Sequence, residues 1–193
     1  MKRIIIAILV AALILFGASY GLQGIAAKNA QEEHLWLMQT LLPNSESFTV
    51  EPYSGEDANI RSIHKAENGY VIKTVTYAYA GEITVVVGVS NEGKVTGLVV
   101  RDQSETVGLG AKALYDHEFL AQFLNGSGTF AIGTPGADAF SGATGEAATG
   151  EETYVDAITG ATVTSKAIAR CVNSAIAYVT GADVSSGATS WGG

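Results

Sequence analysis

The sequence predicts an α+β protein: a single N-terminal transmembrane helix, then an extracytoplasmic domain with an antiparallel sheet and flanking helices. Three observations carry this. Ile4 to Leu22 is a nineteen-residue run without a charge. Between Ser47 and Asp102, segments rich in β-branched and aromatic residues are separated by turn signals. Near the end, Ile168, Val172, Ala175, Ile176 and Val179 recur at helical spacing.

The elements come in this order. At about 1.5 Å per residue the first run is long enough to cross a bilayer. Lys2 and Arg3 precede it, which keeps the N-terminus in the cytoplasm and exports the chain beyond Leu22. The apolar part of a cleaved leader is shorter, so the run reads as an uncleaved anchor over residues 1–24. Gly17 to Gly21, "GASYG", matches a hydrolase nucleophile pattern, but it lies inside the anchor rather than at a strand–turn–helix junction. Residues 25–43 read as a helical stalk, with Leu35, Met38, Leu41 and Leu42 in phase and Pro43 closing it. The exported domain spans 44–181 and a tail spans 182–193.

Within that domain, "SFTVEPY", "GYVIKTVTYAYA", "EITVVVGVS" and "KVTGLVVRD" read as strands, two or three of them in a twisted meander. Asn91-Glu92-Gly93 links the last two, with glycine where a left-handed residue is wanted. Asp116 is a candidate N-cap for a helix through Leu124, closed by Asn125-Gly126. The stretch from Gly126 to Gly150 is mostly Gly, Ala, Ser and Thr, and its second half reads as a loop.

Composition narrows the function. Eleven basic residues face nineteen acidic ones, for a net charge of −8, which argues against a nucleic-acid partner. The single cysteine, Cys171, permits no internal disulfide and reads as a buried thiol. Three scattered histidines make no metal motif.

The tripeptide Gly-Ala-Thr occurs at 142–144, 160–162 and 187–189. Only the middle copy precedes a helical pattern, and Thr164 or Ser165 is the candidate N-cap. A helix start presents unpaired N–H groups and a partial positive charge, which suits phosphate. Gly160 and Ala161 let backbone approach closely, while Thr162, Thr164 and Ser165 supply hydroxyls.

Asp156-x-Ile158-Thr159-Gly160-Ala161-Thr162-x-Thr164 resembles the signature of the FMN-binding domain found in bacterial redox membrane complexes. The resemblance implies FMN held covalently through a phosphoester installed by a flavin transferase. Carried over by position, the acceptor is Thr164, and Asp156 serves recognition or modification. Glu146 and Trp191 occupy the acceptor place in the other two copies.

Ser104 to Lys112, "SETVGLGAK", resembles the family's flavin-approaching segment, so Glu105, Thr106, Gly108, Leu109 and Gly110 carry over. Val107 stands where proline is usual, and Gln103 where histidine is common. Together the anchor, stalk, domain and motifs resemble the G subunits of Rnf ion-translocating complexes, a family related to the C subunit of the sodium-pumping quinone reductase. That resemblance implies an electron relay between ferredoxin and NAD, coupled to Na⁺ or H⁺ movement. It also implies partner membrane and iron–sulfur subunits and an inner-membrane location. The alternatives are an FMN domain of another membrane reductase or regulator, and a non-redox anchored scaffold.

Overall fold

The computed structural model describes residues 28–29, 31–103, 114–133 and 152–182. The chain divides into two compact units, residues 1–38 and 39–193. In the first, residues 31–38 are helical, and Lys28 and Glu32 pair at 3.8 Å one turn apart on an exposed surface. Residues 31–38 are called α1; in the second unit, residues 39–41 are helical. Among the described residues no helix is long and apolar enough to cross a membrane. The expected anchor lies outside those residues.

The second unit is built on a five-stranded meander: β1 (Thr49–Glu51), β2 (Ile60–Ala66), β3 (Gly69–Tyr77), β4 (Glu82–Ser90) and β5 (Val95–Gln103). The strands lie in chain order and every pair is antiparallel. The expected meander is thus present and larger than foreseen. β2, "IRSIHKA", has its buried residues three apart, at Ile60, Ile63 and Ala66. A register shift between Ile60 and Ser62 accounts for the first of these gaps, and it hides the two-residue period that marks a strand.

The hairpin foreseen at Asn91–Gly93 is there. Gly93 has φ +77°, and its N–H donates to the Ser90 carbonyl at 2.9 Å. Two further elements were not foreseen. β6 (Thr129–Ile132) and β7 (Glu152–Val155) form a separate parallel pair, the first inside the Gly/Ala-rich stretch and the second just after it. Four-residue strands beside low-complexity chain give too few residues to show a period. The helix α2 (His117–Ala121) begins at the expected cap. Asp116 accepts hydrogen bonds from the N–H groups of Glu118 and Phe119, both at 3.1 Å.

The long helix α3 (Thr162–Thr180) covers one face of the sheet. Of its predicted stripe, Ile168, Val172, Ala175 and Ile176 are buried in one cluster with Ile72, Val85 and Val87, and Val179 is partly buried against it. A large aliphatic side chain contributes roughly 1.5–3 kcal/mol by leaving water. Cys171 is enclosed there as well. Burial pushes its thiol up to about 11, against which a side-chain hydrogen bond with Thr74 and the nearby Arg170 act in the opposite direction.

The contacts of α3 fix its direction. Thr180 lies against Gly93 in the β4–β5 turn, Tyr178 packs edge-on to Tyr70 with ring centroids 5.8 Å apart, and Arg170 Nη1 donates to Thr76 Oγ1 at 3.1 Å. The helix therefore runs antiparallel to β3, with its N-terminus toward the β3–β4 hairpin.

The opposite sheet face carries a notch. Gly88 and Gly97 pair directly across β4 and β5, and the backbone of Leu41 sits over both. A Cβ on Gly88 would collide with the Leu41 carbonyl oxygen, which is backbone and cannot swing aside. Gly88→Ala is expected to cost about 1–3 kcal/mol by overpacking, read as a lower denaturant midpoint. A midpoint equal to the parent's would contradict this packing. Cys171 is expected to resist a thiol reagent near pH 8 in the folded protein and to react on unfolding.

Candidate functional site

The middle Gly-Ala-Thr copy forms a turn and a helix start. Ile158 to Ala161 close a tight turn in which the Ala161 N–H donates to the Ile158 carbonyl at 2.9 Å. Gly160, third in that turn, has φ +80°. This is the position in a type II turn that requires a left-handed residue, so glycine is there for its backbone. The helix begins immediately afterwards.

The expected caps are corrected by the structure. The N-cap is Ala161, and it makes no side-chain cap hydrogen bond. Thr164 and Ser165 lie inside the first turns rather than before them. Ser165 instead reaches back: its hydroxyl donates to the Ala161 carbonyl at 3.0 Å and accepts from the Ile158 N–H at 3.3 Å. A residue expected to cap the helix thus braces the turn that precedes it.

Two further residues hold the neighbourhood in place, and neither was expected from the sequence. Gln122 Oε1, just past α2, accepts from the Asp156 N–H at 2.9 Å. Asn173 clamps β6 through both halves of its amide, accepting from the Phe130 N–H and donating to the Phe130 carbonyl, each at 2.9 Å. A polar residue beside the apolar stripe of a helix is a legible signal for Asn173. Gln122 had none, because its partner is 34 residues away.

The result is a first turn with open donors. Ser165 makes the first α-type bond, to the Ala161 carbonyl at 2.9 Å. Ahead of it, the N–H groups of Thr162, Val163 and Thr164 have no cap among the described residues. Such N–H groups and the helix dipole together favour an anion. Thr159, Gly160, Thr162 and Asp156 are exposed around this turn.

The two threonines differ completely. Thr162, the first helical residue, is exposed. Thr164 is 0% exposed, and its hydroxyl is buried with no hydrogen-bond partner among the described residues. Residues two apart on a helix point to different sides, so one faces solvent and the other the interior. An orphaned buried hydroxyl costs about 1–3 kcal/mol, a cost that a purely structural position would avoid by carrying valine. Helical side chains lean toward the N-terminus, so this oxygen is aimed at the end of α3 that carries the open donors. The residues present therefore fit a tethered phosphate: an oxygen with nothing else to do stands beside N–H groups that want an anion.

Asp156, Thr159, Gly160, Ala161, Thr162, Thr164 and Ser165 are brought together here. Glu105, Thr106, Gly108, Leu109 and Gly110 lie outside the described residues. They come after β5, whose last residue, Gln103, pairs with Ile83 at the sheet end toward which the α3 N-terminus points.

A bared helix start, a turn that admits close backbone approach and an unpartnered hydroxyl make this a candidate anion site on an α+β domain. The chain belongs to the FMN-binding domain family, whose profile matches residues 78–177 and so includes the whole turn. Among its relatives is the G subunit of the ion-translocating oxidoreductase complex of Methanosarcina acetivorans, 31% identical over 77% of this chain and 76% of that one. The G subunit of the Na⁺-translocating ferredoxin:NAD⁺ oxidoreductase complex of Acetobacterium woodii is 36% identical over 56% of this chain. That match covers only 47% of the relative's length. In fold, the chain is similar to the C subunit of the Na⁺-translocating NADH-quinone reductase from Parabacteroides distasonis. The TM-score is 0.51 at 16% identity, covering 87% of this chain and 98% of the other.

The turn's need for glycine is directly measurable. Gly160→Ala is expected to cost about 1–3 kcal/mol, because a Cβ disfavours the left-handed region. Amide exchange should report it as faster opening of residues 158–165. Unchanged exchange would show that the turn does not need glycine.

Proposed function

We propose that this chain is the electron-relay subunit of a membrane-bound, ion-translocating ferredoxin:NAD oxidoreductase, with FMN esterified to Thr164. Membership of the FMN-binding family and the G-subunit relatives support the cofactor and the setting. The observation that carries the attachment point is the Thr164 hydroxyl, buried without a partner in an uncapped first turn.

The residues divide the work. Thr164 Oγ1 is the nucleophile. A flavin transferase supplies the phosphoryl donor, a flavin dinucleotide whose pyrophosphate is already activated. The new bond joins Thr164 Oγ1 to the flavin-side phosphorus. The pyrophosphate P–O bond breaks, the nucleoside monophosphate leaves, and the hydroxyl proton passes to a base of the transferase. Because the oxygen is sealed in the closed domain, the first turn has to open for the transferase to reach it. Gly160 and the single-sided brace from Ser165 make that turn the place to open.

Asp156, exposed and held by Gln122 through its own N–H, is the acidic group offered to the transferase. The uncapped N–H groups of Thr162, Val163 and Thr164 then face the phosphodiester charge, a contribution of about 0.3–1 kcal/mol at an exposed helix end and more where the site is enclosed. Glu105, Thr106, Gly108, Leu109 and Gly110 are the segment assigned to the flavin ring by sequence resemblance. Bound flavin supplies electron acceptance and release at a fixed position.

The first run of apolar residues anchors the chain in the inner membrane with the domain outside, so attachment prevents loss of the cofactor by diffusion. The partners are the membrane and iron–sulfur subunits of the complex. The coupling ion is Na⁺ or H⁺.

Co-expression with a flavin transferase tests the attachment. Wild type and Thr162→Val are expected to give a fluorescent band on a denaturing gel, and Thr164→Val a folded protein with none. A fluorescent Thr164→Val band together with a dark Thr162→Val band would move the attachment to the exposed threonine.

A further inference from the structure

Two large aromatic side chains stand in water at the end of the sheet where the flavin would be tethered. Tyr77 closes β3 and is 71% exposed, and Tyr79, two residues on, is 75% exposed. The hairpin joining β3 to β4 is tight, since the Ala78 N–H donates to the Gly81 carbonyl at 2.8 Å. Tyr79 therefore occupies the tip. Its position leaves an apolar ring in contact with solvent, which asks for an occupant.

The placement comes from contacts already described. Arg170 bonds Thr76, the next-to-last residue of β3. Thr164 lies six residues before Arg170, so the tether point projects about 9 Å further along the helix axis in the direction of the hairpin. The end of β5 reaches this same edge through the Gln103–Ile83 pair. The two tyrosines differ in the face they serve. Thr76 points to α3, so Tyr77, next in the strand, points to the opposite face. Tyr79 sits beyond the last strand pair, Tyr77 with Glu82, and is not bound to either face.

We infer that Tyr79 is a positioning residue that lays its ring against the isoalloxazine of the flavin tethered at Thr164. The inference rests on the attachment proposed above. Its chemistry is that of two flat π systems. A planar, electron-poor heterocycle prefers an offset stack on an electron-rich phenol ring over exposure to water. The ribityl chain lets the ring reach outward from the first turn, and the hairpin tip offers the aromatic surface at that end. Stacking holds the ring at one orientation, as transfer to a fixed neighbour requires. Tyr77, on the other face, takes no part.

The test uses the full-length, flavin-loaded protein and reads flavin fluorescence before and after unfolding, with covalent loading measured on the denaturing gel. A stacked phenol quenches flavin emission, so the wild type should brighten on unfolding. Tyr79→Leu is expected to raise native emission about twofold or more, Tyr79→Trp to keep it low, and Tyr77→Leu to leave it at the wild-type level. Loading should be equal in all four, because neither side chain is part of the modified turn. Loaded protein in which Tyr79→Leu emits as the wild type does would overturn this inference while leaving the attachment intact. The same holds if Tyr77→Leu brightens as much as Tyr79→Leu. Wild-type protein without covalent flavin would overturn the attachment itself and this inference with it.

Discussion

The site depends on one constraint: α3 must be anchored by its middle while its first turn stays bare. The apolar stripe from Ile168 to Ile176 is buried against the central strands, and this fixes the helix axis over β3 and β4. Contacts at Gly93, Tyr70 and Thr76 set its direction. With the axis held from behind, the N-terminus needs no cap to stay in place. Ser165 is freed to brace the Ile158–Ala161 turn, and the N–H groups of Thr162, Val163 and Thr164 remain uncapped among the described residues. An ordinary cap at position 161 would stabilise the helix and occupy the donors. Alanine there leaves them available.

Much of this was legible because it rests on local pattern. The β-branched run in "EITVVVGVS" and the turn at Asn91–Gly93 mark a hairpin, and the structure has β4 and β5 on either side of it. The stripe on α3 is a helical period, and Ile168, Val172, Ala175 and Ile176 are buried. Asp116 caps α2 as its chemistry suggests. The losses have physical reasons. β2 is disguised by its bulge, and β6 and β7 are too short to carry a period.

At the site, the string from Asp156 to Thr164 covers the turn and the start of α3 but does not show the orientation of its hydroxyls. Consecutive helical residues rotate by about 100°, so which threonine faces water depends on where the helix begins. A start at Thr162 rather than after Thr164 turns Thr162 outward and Thr164 inward. A cap at Thr164 would have spent its oxygen on a backbone N–H; inside the helix that oxygen is left over. Gln122 and Asn173, which hold Asp156 and β6, act through contacts to residues 34 and 43 positions away. Only tertiary structure brings those pairs together.

Localisation of the flavin by tandem mass spectrometry on native protein tests the central claim most directly. Digestion after Lys166 leaves a peptide ending there that contains both Thr162 and Thr164. The account predicts added mass equal to FMN less one water, with fragment ions that place it on Thr164 and leave Thr162 bare. The same mass on Thr162, or a peptide with no addition, would contradict it.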